Sequence, residues 1–328
     1  MHKLSAYLLV VLLSSHVAFS EQGSMKNDSK ESWSWKSMFL KDKKSTVKDS
    51  TKDSKVVEIT TKKPAKKMAS DPLKSKTSKS PKLPDKLVSK SGMEFQLIGA
   101  TKFQMGSDNQ SSRKTNPRFQ AEITKPFYIG KFEVTQRQWI ALMGSNPSRF
   151  KECGQDCPVE SVSWEEVQEF VKKLNGKEGR DVFRLPTEAE WELAAGGGNS
   201  TEYHFGDNHQ DLNTYAWYDG NSVGGTAKVG QKKPNTAGLF DMHGNIAEWV
   251  QDWYGTYAPE STLKDPTGAP GGSKKVIKGG CWYDDPTNLT SASRNAKKPA
   301  EKNGYLGFRL IRTTKDLMDD LTKVADKN

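Results

Sequence analysis

The sequence predicts a single α+β domain in which loops outweigh regular secondary structure. Short apolar runs, such as Phe95–Ile98 and Phe127–Ile129, are bounded by Gly, Pro or polar residues and favour strands. Two other stretches have the apolar spacing of amphipathic helices. The segment 196–280 is rich in Gly, Asn, Asp and Pro, which argues against long regular elements there.

Residues 1–20 have the pattern of a secretory signal peptide. Lys3 precedes an apolar run, Tyr7–Leu13, and the small residue Ser20 marks the expected cleavage site. The alternative, an uncleaved membrane anchor, is the weaker interpretation because Ser14–His16 interrupts the apolar stretch, which is short for a bilayer. We therefore expect a secreted or periplasmic protein without a transmembrane span after signal cleavage.

Residues 21–91 are predicted to be a disordered tether rich in Lys, Ser and Thr. From residue 23 to residue 91 there are 19 Lys and 8 acidic residues, a net charge of +11, against +10 for the whole chain. The remaining domain is thus close to neutral, so the basic charge does not favour a nucleic-acid-binding fold. The tether is a solvated spacer or a contact to an anionic envelope surface. Trp33, Trp35 and Phe39 could form a short docking helix within it.

The folded domain is predicted to span residues 92–314, followed by a C-terminal tail, 315–328. One helix is placed after the capping residue Ser163. Its apolar stripe consists of Trp164, Val167, Phe170, Val171 and Leu174. A second helix begins after Thr187, which forms a capping box with Glu190.

Three cysteines follow the signal peptide. Cys153 and Cys157 lie in a short polar loop, which in an exported protein favours a local disulfide. The alternative is half of a zinc site, for which a second pair is missing. Cys281 is then an odd thiol, either buried and inert or a nucleophile or metal ligand that would need a basic or metal neighbour.

Short motifs follow one another in a definite order along this domain. They are FQMGS (103–107), EVTQ (133–136), NPS (146–148), RLPTEAEWE (184–192), GLFDM (238–242), GNIAEW (244–249), GGCW (279–282) and GFR (307–309). This series resembles the formylglycine-generating-enzyme family, also called the sulfatase-modifying factor family. The resemblance implies a compact, loop-rich fold with remote similarity to C-type lectins, often with bound calcium.

The resemblance also implies where calcium would bind. Glu248 would give a carboxylate oxygen, and Asn245 with backbone carbonyls at Gly244 and Ile246 would complete the shell. Alternatively, Asn245 and Glu248 only cap turns. A second calcium site of the family corresponds loosely to residues 213–221, where no ligands can be assigned.

The family's oxidase reaction needs two thiols that hold copper(I), a soft ion that selects thiolates. Counted from the position of Cys281, which is serine in active relatives, the matching residues are Asp284 and Leu289. The copper pair is therefore missing, and copper is not expected. The histidines outside the signal peptide could in principle bind a metal, as in iron-dependent relatives, although the helical domain that carries the iron-binding motif there has no counterpart here. They are His204, His209 and His243.

Three functions remain open. The first is a non-oxidase binding or scaffold module for a protein, peptide or glycan. The second is a different enzyme of the family, comparable with those that mature peptide siderophores in the periplasm. The third is formylglycine generation from a sulfatase cysteine by unusual means.

Overall fold

The computed structural model describes residues 82–108, 117–196, 201–257 and 262–319. The predicted signal peptide, most of the predicted tether and the aromatic residues Trp33, Trp35 and Phe39 lie outside these ranges. Within them, no helix combines the length and the apolar character that crossing a bilayer requires.

The described residues form helices and strands in a mixed order. The α-helices are α1 (Gln136–Met143), α2 (Trp164–Glu178), α3 (Glu188–Gly196) and α4 (Leu212–Tyr215). The strands are β1 (Lys86–Val88), β2 (Glu94–Ile98), β3 (Thr101–Met105), β4 (Phe119–Ile123), β5 (Phe127–Gly130), β6 (Phe183–Arg184), β7 (Ala247–Trp253), β8 (Leu263–Lys264), β9 (Lys275–Lys278), β10 (Arg294–Lys297), β11 (Leu306–Gly307) and β12 (Ile311–Thr313). Single 3-10 turns occur at Lys151–Cys153, His209–Asp211 and Pro286–Asn288. The α+β prediction is confirmed, and loops connect most elements.

Both predicted helices are confirmed together with their caps. The Ser163 hydroxyl accepts the backbone N–H of Glu166 at 3.1 Å, and the Glu166 carboxylate accepts that of Ser163 at 3.0 Å. Thr187 and Glu190 exchange the same two bonds at 3.2 and 2.8 Å. In each case the side chains satisfy N–H groups that have no partner inside the helix.

The strands form three sheets. One has the order β1-β2-β5-β12-β6, the second β10-β9-β7-β11 and the third β3-β4-β8. The pairs β7/β11 and β4/β8 are parallel, and the other pairs within these sheets are antiparallel. A stacked and edge-on group of rings, Trp139, Phe170 and Phe308, joins α1 and α2 to the chain between β11 and β12, with centroids 5.2 to 6.0 Å apart. Aromatic rings contribute much of the buried apolar area in such a core.

Strand β7 departs from the expectation that residues 196–280 lack long regular elements. It is seven residues long and is the longest strand in the described residues. Its charged residues Glu248 and Asp252 are buried, because cationic or polar groups from other elements contact them. Charged residues at buried positions conceal the apolar pattern by which a strand is recognised.

The predicted domain boundary at residue 92 needs correction. Strand β1 pairs with β2, Leu83 is buried, and the Tyr128 hydroxyl donates to the Pro84 carbonyl at 2.7 Å. Only three residues long and set among lysines, β1 gives no sequence signal. At the other end, residues 315–319 form a helical turn in which Asp316 pairs with Arg312 at 2.7 Å, so the predicted tail is partly ordered.

Cys153 and Cys157 are joined as a disulfide, with their Cα atoms 5.9 Å apart. The bond closes the turn that follows the Lys151–Cys153 segment, and Cys157 is fully buried. Cys281 is the free cysteine of the described chain and is buried as well.

Candidate functional site

The turn after β9 positions the thiol of Cys281. Gly279 and Gly280 have φ values of 89° and 67°, in the left-handed region that favours glycine. A Cβ atom on Gly280 would lie 2.9 Å from the Asn288 carbonyl oxygen, closer than real Cβ contacts allow. Glycine is therefore needed for the chain to reverse and bring Cys281 beneath the loop that follows.

Cys281 is held by Asp284. The Asp284 carboxylate accepts the backbone N–H of Cys281 at 3.0 Å and its thiol at 3.1 Å. Burial and the Asp284 charge raise the pKa of the Cys281 thiol well above its usual value. At neutral pH the sulfur is therefore a protonated donor, which is neither a nucleophile nor a ligand for a soft metal.

Leu289, the second position matched to a copper cysteine, is fully buried in an apolar cluster with Tyr203, Leu212, Ala216 and Tyr218. Its carbonyl oxygen lies 2.7 Å from Nδ1 of His243. The copper-position region, which we define as Cys281, Asp284 and Leu289, therefore has a carboxylate and an apolar side chain where the oxidase has thiols.

Two of the three candidate histidines meet beside this region. Nε2 of His243 lies 3.0 Å from Nδ1 of His204, whereas His209 is exposed in a separate turn. Burial lowers the pKa of His204 to about 4 and that of His243 to about 3. Across the described ranges, no group of three or more His, Cys, Asp or Glu is arranged to hold a metal ion.

A pocket of about 280 Å³ opens next to the copper-position region. Strands β9 and β10 and the turn 279–284 contribute most of its lining, which is largely polar. Tyr283, Asp284, Lys297 and Tyr305 bring a hydroxyl, a carboxylate, an ammonium and a second hydroxyl to it. Such a lining suits a hydrogen-bonding ligand.

Four rings form a continuous row, of which Tyr283 and Tyr305 line this pocket. We call Phe150, Trp282, Tyr283 and Tyr305 the aromatic ridge; successive ring centroids lie 5.5, 4.9 and 5.2 Å apart in edge-to-face contacts. Arg149 lies over Phe150 at 5.4 Å and Lys297 over Tyr305 at 5.9 Å. Tyr283 is 45% exposed. Half-exposed aromatic groups of this kind are typical of interaction sites.

The predicted calcium ligands are engaged with protein groups. Both carboxylate oxygens of Glu248 accept from Arg309 at 2.7 to 2.9 Å, and one of them also accepts the Trp191 indole N–H at 2.7 Å. The side-chain oxygen of Asn245 accepts the backbone N–H of Ala227 at 2.9 Å. Gly244 and Asn245 have positive φ values, 80° and 59°, so this segment turns tightly between them.

Two further carboxylates lie near the same arginine. We call Glu133, Asp241, Glu248 and Arg309 the acid-rich cluster; all four are at most 2% exposed. Burial raises the pKa of Asp241 to about 6, and burial and the Asp241 charge raise that of Glu133 well above its usual value. Oε1 of Glu133 and Oδ1 of Asp241 have no hydrogen-bond partner among the described residues. One arginine thus faces three acids, and oxygen atoms remain for a proton or a hard cation.

A second buried ionic group lies near Trp191 and includes Asp252, whose pKa is raised to about 7 by burial and by the Glu188 charge. Lys278 pairs with Glu192 at 2.9 Å, and Arg294 donates to Glu188 at 2.8 Å. Paired in this way, the charges offset one another's desolvation cost.

The arrangement matches a known family. The family model for the sulfatase-modifying factor enzyme 1-like domain matches residues 80–314. The chain belongs to this family. The match begins close to residue 82, where the described structure starts, which supports including β1 in the domain.

The relatives that match this chain carry names that describe different roles. The chaperone protein LppX of Paenibacillus barcinonensis is 31% identical over 57% of this chain and 80% of the relative. The formylglycine-generating enzyme of Streptomyces coelicolor is 32% identical over 52% of this chain and 59% of the enzyme. Among solved structures, Treponema denticola variable protein 1 is 30% identical, with a TM-score of 0.66 over 70% of this chain and all of that one.

Sequence reasoning missed Glu133, Asp241, Tyr283 and Tyr305 as site residues. Glu133 and Asp241 lie within motifs that carry the resemblance, but their contact with Arg309 joins positions far apart in the sequence. The two tyrosines belong to no motif, and only the fold brings their rings together.

Proposed function

We propose that the chain is an exported ligand-binding or scaffold module of this family that does not perform the copper oxidase reaction. The observation that carries this proposal is the copper-position region, where Asp284 accepts the Cys281 thiol and Leu289 is buried in an apolar cluster. A soft copper(I) ion has no thiolate pair to bind there. The match to a relative that is named as a chaperone covers 80% of that relative, and this similarity supports a binding role.

The pocket and the aromatic ridge are the proposed binding surface. A concave, polar pocket with half-exposed rings at its rim offers hydrogen bonds and apolar contact to one ligand. The lectin-like use of the fold that the resemblance implies is part of this proposal. So are the secreted or periplasmic location and the contact of the Lys-rich tether with an anionic envelope surface.

We propose calcium as the cofactor, bound beside the acid-rich cluster, whose three acids do not by themselves form a metal-binding group. The hard oxygen atoms of Glu133 and Asp241 fit this ion, since both carboxylates are buried and each has an unpartnered oxygen. Gly244, Asn245, Ile246 and Glu248 stay predicted ligands; Glu248 already pairs with Arg309. Bound calcium would neutralise the excess negative charge and fix the loop that leads from Asp241 into β7.

Incubating the purified full chain with copper(I), oxygen and a peptide containing Cys-x-Pro-x-Arg tests the main proposal. We expect the peptide mass to stay unchanged. A mass loss that matches conversion of the cysteine to an aldehyde would instead establish formylglycine generation and would overturn the binding-module proposal.

A further inference from the structure

We infer that the pocket and the aromatic ridge bind a saccharide, with a sugar ring stacked on Tyr283 and its hydroxyls bonded inside the pocket. This inference rests on the proposed binding function and narrows it to one ligand class. A pyranose has an apolar C–H face and a rim of hydroxyls, so its site needs an exposed ring face beside mixed donors and acceptors.

The exposed ring is Tyr283. It is 45% exposed and borders the pocket, while edge-to-face contacts with Trp282 and Tyr305, at 4.9 and 5.2 Å, fix its orientation. A ring held in this way loses little conformational freedom when a ligand stacks on it.

The acceptor is Asp284. Because the Cys281 N–H and thiol both donate to Oδ2 of Asp284, the carboxylate has a set orientation at the pocket wall. A carboxylate can accept hydrogen bonds from two vicinal hydroxyls at once. An uncharged amide accepts such bonds less strongly. In this arrangement Cys281 is a positioning residue, and the thiol has a purpose without chemical reactivity.

The donor is Lys297. Its ammonium lies 3.7 Å from Glu301 and 5.9 Å from the centre of the Tyr305 ring, at the pocket edge. Donor and acceptor therefore occur together in a space of about 280 Å³, at the lower end of ligand pockets and suited to one or two sugar units.

A peptide fits the same space less well. Peptide recognition needs recesses for apolar side chains or a free sheet edge along the bound strand. The aliphatic residues that line the pocket, Ala247 and Ile277, are each only 4% exposed. On the neighbouring strand β10, the Asn295 side chain accepts the Ala296 backbone N–H at 2.8 Å and so occupies a group that an added strand would use.

The test uses the full chain on a glycan array, followed by titration of cellohexaose, N-acetylchitohexaose and a galacturonate oligomer, with intrinsic tryptophan fluorescence as the signal. We expect saturable binding of at least one saccharide class. Tyr283→Ala should weaken it by at least about tenfold, a loss of about 1.4 kcal/mol. Tyr283→Phe, which keeps the ring, should weaken it much less. Val88→Ala removes an apolar side chain on β1 that is 65% exposed and does not line the pocket, and it should leave binding unchanged.

Two outcomes would overturn the inference. One is the absence of saccharide binding on the array and in the titrations; the other is wild-type affinity in Tyr283→Ala. If a Cys-x-Pro-x-Arg peptide binds instead, unchanged in mass and with affinity lost in Tyr283→Ala, the saccharide inference is wrong while the binding-module proposal stands. Aldehyde formation on that peptide would contradict the proposed function itself.

Discussion

The copper-position region and the acid-rich cluster differ in how their polar groups are satisfied. At the first, Asp284 is paired with Cys281, and the Leu289 carbonyl is paired with His243. At the second, Glu133 and Asp241 each keep an unpartnered oxygen beside one arginine that is already engaged by Glu248. Burying a polar group lowers the stability of the folded state unless the group is hydrogen-bonded or ion-paired.

This difference shows where a metal is chemically plausible in the fold. The copper-position region is complete with a proton on its thiol and needs no ion. The acid-rich cluster is incomplete, and either protons or a hard cation must compensate its excess negative charge. The acid-rich cluster therefore has carboxylate oxygens without a partner among the described residues, whereas the copper-position region offers no thiolate pair.

The largest expected effect is that of removing the one cation of the acid-rich cluster. Arg309→Met would leave three buried carboxyl groups without a counter-charge. We expect the free energy of unfolding at pH 7 to fall by about 3 to 5 kcal/mol, measured by urea denaturation. Arg137→Met removes an arginine whose pair with Asp156 is exposed and should change stability little. If both variants lost the same free energy of unfolding, the acid-rich cluster would not depend on Arg309 as a counter-charge.

The next effect concerns calcium and Asp241. The folded-state pKa of Asp241, about 6, lies above its ordinary value of 3.8, so the folded chain binds this proton more tightly. Its contribution to stability is therefore present below about pH 4 and is lost as pH rises through 6, by up to about 3 kcal/mol. We expect calcium to raise the melting temperature at pH 7 more than at pH 4.

Asp241→Asn is the matched variant for that prediction. It keeps the size of the side chain and its capacity to accept from the Gly230 N–H. The dependence of melting temperature on calcium at pH 7 should largely disappear in Asp241→Asn, as followed by calorimetry with calcium or a chelator. An unchanged calcium response would place the ion elsewhere or exclude it from this cluster.

The His204–His243 pair beside the copper-position region should respond to pH in the opposite direction. The pKa values of His204 and His243 are lowered to about 4 and about 3, so the unfolded chain binds these protons more tightly. Their contribution is present above about pH 6.5 and is lost as pH falls toward 3. His204→Phe should therefore flatten the loss of stability in acid, measured as a difference from the wild type between pH 4 and 7. A parallel profile would contradict the assigned burial of the pair.

The smallest expected effect is that of Cys281→Ser. A serine hydroxyl can donate to Asp284 as the thiol does, so stability should change by less than about 1.5 kcal/mol. The thiol itself should not react with Ellman's reagent in the folded wild type and should react in urea. Rapid labelling of the folded chain would show that Cys281 is more accessible and more acidic than its contacts imply.

Much of the fold could be predicted because its signals are local. The caps at Ser163 and Thr187 place two helices, and the apolar runs near residues 95 and 127 place two strands of one sheet. Strand β7 was missed because Glu248 and Asp252 interrupt its apolar pattern, and their burial depends on partners from other elements. The acid-rich cluster and the aromatic ridge likewise depend on contacts between distant segments, which composition and spacing do not encode.

The most direct test is a competition titration of copper(I) between the wild-type chain, with its Cys153–Cys157 disulfide intact, and a coloured copper(I) chelator, without oxygen. A formylglycine-generating enzyme that has the cysteine pair serves as the positive control. The account predicts that the copper(I) stays with the chelator when this chain is added, because Asp284 and Leu289 offer no thiolate pair. Stoichiometric transfer of copper(I) to the chain would contradict it.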